Sequence, residues 1–220
     1  MRVLVFTKYP QPGMVKTRLG QTVGPMLAAS LQEAFLHDEL HMLANLGAEV
    51  TLCCDPFRPL TDYERLFGPN FRYMVQEGAD LGERMLNALH AALPESHGTV
   101  LIGSDLPDLP EAHLKEAFAA LNAAQICLGP ATDGGFYLLG LSEPLPPDIF
   151  KGVVWGGPQV LKTTLANCAS KGLTHRLLPP WPDVDTAEDL AAYAVRNQDK
   201  NTRSMDLIRG LGLMEEAWKP

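Results

Sequence analysis

Arg2-Val-Leu-Val-Phe-Thr7 followed by Lys8-Tyr-Pro-Gln-Pro-Gly-Met-Val-Lys-Thr-Arg-Leu19 is the stretch that decides the fold. A short, branched, nearly continuous apolar run is the pattern of a strand buried on both faces of a parallel sheet. A loop follows it, not a hairpin turn. From Pro25 to Leu46, Leu27, Leu31, Phe35, Met42 and Leu46 recur at roughly helical spacing, and Gly47 stands where a helix C-terminus is expected. The same alternation continues down the chain. Strands are expected at Ala48–Cys54, Phe71–Gln76, Gly98–Ile102, Ile126–Gly129, Phe136–Leu141 and Thr174–Leu178, with helices at Thr61–Phe67, Leu81–Leu93, Glu111–Ala124, Pro158–Ser170 and Ala187–Asn197. The reading is a three-layer α/β/α, doubly wound and mostly parallel sheet, whose ligands sit beyond the carboxyl ends of the strands.

Composition narrows the function classes. The chain has 220 residues, 46% hydrophobic and 20% charged, close to globular averages, with no repeat, linker or low-complexity segment. One domain is expected over residues 1–200, with an accessory helix or tail over 201–220. A net charge of −8 leaves no global basic field for a nucleic-acid backbone, so any anionic ligand must be met by a local cluster of cations or backbone amides. No run has the length of a membrane span, and the first apolar segment is too short for a signal-peptide core, which points to the cytoplasm. Cys53, Cys54, Cys127 and Cys168 lack paired metal-ligand spacing and are expected as free thiols. Adjacent strand positions would send Cys53 and Cys54 to opposite faces of the sheet.

Five segments concentrate the chemistry. In the first, Lys8, Lys16 and Arg18 with Gly13 suit a phosphate, since glycine lets backbone amides approach the anion and the cations neutralise it; a surface loop with solvated cations is the other reading. In Gly103-Ser-Asp-Leu-Pro-Asp-Leu-Pro110, Asp105 stands at a strand's carboxyl edge, where a carboxylate would hold a divalent cation bridging nucleotide phosphates, or would simply close an Asx-type turn. Asp108 reads as a helix cap. Gly129-Pro-Ala-Thr-Asp-Gly-Gly-Phe-Tyr-Leu-Leu-Gly140 reads first as a hairpin turn, though Asp133 could accept hydrogen bonds from sugar hydroxyls. In Asp183-Val-Asp-Thr-Ala-Glu-Asp-Leu190, Thr186 and Asp189 have capping-box spacing, which leaves Asp183 and Asp185 as acids that repel one another unless solvated or bound to a cation. Gln76-Glu-Gly-Ala-Asp-Leu-Gly-Glu-Arg-Met85 offers two glycines and an amide to a nucleobase, or simply a helix start capped by Asp80.

In their order along the chain these motifs resemble the uncharacterised glycosyltransferase-like family of the GT-A, or nucleotide-diphospho-sugar transferase, superfamily. They are similar, more distantly, to the guanylyltransferases that act on 2-phospholactate and on the molybdenum cofactor. The resemblance covers about Arg2 to Leu190. It implies a metal-dependent transferase using Mg2+ or Mn2+, a nucleotide sugar or nucleoside triphosphate and a small-molecule acceptor. By position it implies nucleotide contacts at Lys8, Gly13, Lys16, Arg18, Gln76, Gly78 and Gly82, metal ligation by Asp105 and Asp185, a catalytic Asp133, and sugar or acceptor contacts at Gly134 and Gly135. Sugar transfer is the first expectation, because the first loop lacks the Gly-x-Gly-x-x-Arg pattern of nucleotidyltransferases. Nucleotidyl transfer and a non-catalytic nucleotide-sugar sensor are the alternatives. The chain departs from the family at Trp155-Gly-Gly157, where relatives commonly carry Trp-Ser-Thr.

Overall fold

The computed structural model describes residues 1–95 and 98–213. Seven strands, β1 (Arg2–Thr7), β2 (Glu49–Cys54), β3 (Arg72–Val75), β4 (Thr99–Gly103), β5 (Ile126–Pro130), β6 (Phe136–Leu141) and β7 (His175–Leu177), form one sheet in the order β3-β2-β1-β4-β6-β5-β7. β1 lies between β2 and β4 and is parallel to both, with Arg2 beside Glu49 on one side and Thr99 on the other. Every residue of β1 is buried, as its continuous apolar run requires. β6 alone runs antiparallel, against both β4 and β5.

Among the described residues, eight helices flank the sheet: α1 (Thr17–Val23), α2 (Pro25–Asn45), α3 (Leu60–Phe67), α4 (Leu81–Ala92), α5 (Glu111–Ala120), α6 (Val160–Ser170), α7 (Ala187–Arg196) and α8 (Arg203–Gly210). On one face Val3, Val5 and Cys54 pack with Leu36 and Leu40 of α2, Tyr63 of α3 and Leu114 of α5. On the other, Leu4, Phe6 and Cys53 pack with Met85 and Leu89 of α4 and Cys168 of α6. Cys53 and Cys54 therefore point to opposite faces, as their adjacency in a strand dictates. All four cysteines are free and buried, and burial pushes each thiol up, Cys54 to about 12, so none supplies a thiolate nucleophile at neutral pH.

The structure differs from the sequence reading at three places. The loop after β1 closes into α1, ended by Gly24 at φ 85° with Pro25 opening α2; a glycine stop beside a proline start was the available signal. α5 ends at Ala120, because the chain turns there to enter β5. Asp108 does not cap α5. Its carboxylate instead accepts from Arg196 Nε and Asn197 Nδ2, both at 2.7 Å, and so ties that loop to α7. α8 packs Met205 and Ile208 against Leu31, Phe35 and Tyr193, and Asp38 of α2 accepts from the Arg203 and Ser204 amides at its start. The rest of the accessory helix or tail expected over residues 201–220 lies, from residue 214, outside the described residues.

Gly129 makes room for a long-range anchor. A Cβ there would fall 2.3 Å from the Tyr137 ring. The Tyr137 hydroxyl bonds His113 Nδ1 at 2.9 Å and donates to the Pro179 carbonyl at 3.1 Å. Gly129→Ala is expected to cost about 1–3 kcal/mol in urea unfolding by forcing that ring out of place; an unchanged midpoint would show that the strand absorbs the methyl.

Candidate active site

The carboxyl ends of β1 and β4 lie side by side, which brings the loop after Thr7 next to Gly103-Ser104-Asp105. Gln32 of α2 donates to both the carbonyl and the hydroxyl oxygen of Ser104 at 3.0 Å, fixing that turn. The Val184 amide donates to the Asp105 carbonyl at 3.1 Å, so the segment before α7 is stitched to the same place. There the Thr186–Asp189 capping box forms as its spacing predicts, and Asp189 Oδ2 also accepts from the Asp185 amide at 3.1 Å. A local helix cap thereby sets the position of Asp185.

Lys16 is drawn into this junction. It is the one non-glycine residue among those described with positive φ, at 46°, a left-handed conformation costing roughly 1–2 kcal/mol in an L-residue. Its side chain is 1% exposed, and Nζ makes ion pairs with Asp105 Oδ1 and, at 3.1 Å, Asp185 Oδ1. Burial alone would lower the Lys16 pKa; the charges of Asp105 and Asp185 overcome it and hold the ammonium above its ordinary range. Glu39 of α2 lies within range of the same charges. Its carboxyl is fully buried and neither oxygen has a hydrogen-bond partner. Burial, then the Asp105 charge, pushes its pKa well above the ordinary value, while the Lys16 charge only partly opposes this.

Around these groups opens a cavity of about 550 Å3 lined by Lys8, Lys16, Arg18, Arg84, Gln76, Asp55, Asp105 and Asp185, with Met14 and Leu81 among its apolar residues. Gln76 Nε2 donates to the Cys53 carbonyl at 2.8 Å, so that amide holds the β2 end while facing the cavity. Arg84, which the sequence reading passed over as part of an ordinary helix, donates from Nε to the Gly78 carbonyl at 3.2 Å and lies 3.6 Å from Asp55.

A second cavity of about 200 Å3 shares Phe6, Leu81 and Gly103 with the first and is lined further by Asp133, Gly135, Phe136 and Trp155. Asp133-Gly-Gly135 is the β5–β6 hairpin turn and also part of this wall, with Asp133 Oδ1 accepting from the Gly135 amide at 2.8 Å. Asp183 senses both sites: burial, then Asp185 and Asp133, push its carboxyl up to about 6.

Six of the residues singled out in the sequence, Lys8, Lys16, Arg18, Gln76, Asp105 and Asp185, thus share one cavity, and Asp133 and Gly135 line its neighbour. Gly13, Gly78, Gly82 and Gly134 line neither. Gly78 packs against α4, where a Cβ would meet the Arg84 nitrogen at 2.6 Å; Gly82 lies under the Trp155 ring; Gly134 abuts the Pro158 carbonyl. A wider groove of about 950 Å3 between α2, α7 and α8 shares no lining residue with the first cavity, and Asp108, Arg196 and Asn197 there already satisfy one another.

A family model described as "Uncharacterized protein conserved in bacteria (DUF2064)" matches residues 36–157, more than half of the chain. The chain belongs to the DUF2064 family. A crystal structure from Desulfovibrio desulfuricans G20, provisionally named a nucleotide-diphospho-sugar transferase, is 36% identical, with 96% of this chain and 95% of that one covered and a TM-score of 0.90. The inositol-1-phosphate CTP transferase from T. maritima is 14% identical, with 95% and 96% covered and a TM-score of 0.59. A CMP:2-keto-3-deoxy-manno-octonic acid synthetase complexed with CTP is 13% identical, with 90% and 98% covered and a TM-score of 0.55. These last two share the fold. No curated protein matches this DUF2064 chain.

Proposed function

We propose that this DUF2064 protein is a metal-dependent transferase that takes a nucleoside diphosphate sugar as donor. One observation carries the reading: two carboxylates at the strands' carboxyl edge, Asp105 and Asp185, flank a buried ammonium in a cavity that also presents Lys8, Arg18 and Arg84. The name given to the relative from Desulfovibrio desulfuricans supports the same class.

The donor set suits Mg2+ or Mn2+ arriving with the nucleotide. Among the described residues no group of three or more acids, histidines or cysteines could hold an ion alone. Mg2+ commonly takes only one or two protein carboxylates and completes its shell with water and substrate phosphates. Held by Asp105 and Asp185, such an ion would neutralise charge on the departing phosphate oxygens. Lys8, Arg18 and Arg84 bind and orient the diphosphate, their charges stabilising the developing anion. Asp133 reaches the transferred group from the wall of the adjoining cavity, whose interior is left to the acceptor.

Nucleotidyl transfer is the second reading, favoured by the CTP-using enzymes of the same fold. A donor panel separates the two. Incubation with the preferred nucleotide sugar and Mn2+ should slowly release nucleoside diphosphate without acceptor, water serving as a poor nucleophile, and nucleoside triphosphates should release no pyrophosphate. Asp133→Ala should abolish this slow hydrolysis with little loss of nucleoside diphosphate affinity. Pyrophosphate release dependent on Asp105 would establish nucleotidyl transfer instead. Tight binding with neither product would make the protein a sensor.

A further inference from the structure

We propose that the smaller cavity receives an uncharged moiety of the acceptor, one with an apolar face, and excludes carboxylates and phosphate esters. Its role as the acceptor's seat rests on the transferase reading; its chemistry rests on its walls. Cations and apolar surface are segregated across the shared edge of Phe6, Leu81 and Gly103: four cationic side chains line the larger cavity, while among the described residues no Lys, Arg or His lines the smaller one. Among the described residues, the single charged residue of its lining is Asp133. An anion placed there would lose hydration, gain no countercharge and meet a carboxylate.

The remaining surface is aromatic and aliphatic. Trp155 meets Phe150 edge-on at 5.2 Å and Phe136 at 6.4 Å. Gly82 permits this packing, since a Cβ there would fall 2.7 Å from Trp155 Cζ2. Gly156 and Gly157 also line the cavity and bring no side-chain hydroxyl to it. With Asp133 Oδ1 engaged by the turn, the wall offers the other carboxylate oxygen and the backbone of its glycines to a ligand hydroxyl, and apolar contact over most of the rest. At about 200 Å3 the space is below the ~300–1,000 Å3 of a whole drug-sized ligand and suits a single ring or short chain.

Three probes with one ring test this on the full chain: benzyl alcohol, benzylamine and phenylacetate, titrated with inorganic pyrophosphate present to occupy the cationic cavity. Trp155 emission reports binding, assigned by its loss in Trp155→Phe. Benzyl alcohol should shift it saturably in the millimolar range, and phenylacetate should bind at least tenfold more weakly. Asp133→Asn should narrow that gap and weaken benzylamine. Val160→Phe, or Met85→Phe if the first does not fold, should fill the cavity and remove the benzyl alcohol response. Phenylacetate binding as tightly as benzyl alcohol, or no response to benzyl alcohol, would overturn the proposal. A protein that yields no product from any donor yet shows this probe selectivity would fail the transferase reading alone.

Discussion

Asp105→Asn is expected to weaken Mn2+-dependent nucleotide binding by about a hundredfold or more, while Lys16→Met tightens Mn2+ binding in the absence of nucleotide. The amide keeps the shape of the carboxylate but removes a charged hard ligand, and loss of mere outer-shell partners already costs ~10–100-fold in metal affinity. Lys16 acts in the opposite sense on the bare ion, because its ammonium already pairs with both Asp105 and Asp185 and repels a second cation or must be displaced by it. The same substitution should weaken nucleoside diphosphate binding, since a cation lining the cavity is lost. The two carboxylates are 42% and 37% exposed, so the fold should survive either change. Calorimetric titration of Mn2+, alone and with nucleoside diphosphate, reads both effects. Equal Mn2+ affinity in the parent and Asp105→Asn would remove Asp105 from the ligand set, and unchanged Mn2+ affinity in Lys16→Met would mean that ion and ammonium do not compete.

The fold was legible where a local pattern has one physical outcome. A continuous apolar run can only be a doubly buried strand or a buried helix, and β1 is too short for the second. Asp-Gly-Gly marked the β5–β6 turn and Thr186 with Asp189 marked the start of α7. The site was legible in its parts. Lys16, Asp105 and Asp185 could each be suspected, but their union depends on β1 and β4 being neighbours, which no local pattern encodes. Arg84 was hidden because an arginine on a helix usually faces water. Glu39 was hidden for the same reason, although a signal existed: Leu31, Phe35, Glu39 and Leu43 are spaced by four, and the other three are fully buried. A lone acid inside an apolar stripe marks a group kept for some purpose other than packing.

That acid gives the second large effect. Glu39→Gln is expected to stabilise the protein at neutral pH and to change little near pH 4. The sign follows from proton binding. At low pH the Glu39 carboxyl is protonated in both folded and unfolded chains and contributes no pH dependence. As pH rises past the ordinary carboxyl range the unfolded chain loses the proton, whereas burial, helped by the Asp105 charge, keeps it on the folded protein. Over that interval the folded state holds the extra proton, so stability falls with pH by about 1.4 kcal/mol per unit until the folded pKa is passed. Glutamine cannot ionise and abolishes the slope. Glu39→Met should gain further, because it also removes two oxygens that have no hydrogen-bond partner. Urea unfolding from pH 4 to pH 8 measures the difference directly. Parallel curves for parent and Glu39→Gln would show that the carboxyl titrates normally, with the Lys16 ammonium, the one opposing side-chain charge acting on it, holding Glu39 ionised inside the fold. A gap widening with pH would show instead that the protein tolerates a destabilising acid beside Lys16 and Asp105, as stability is often lower at sites kept for function.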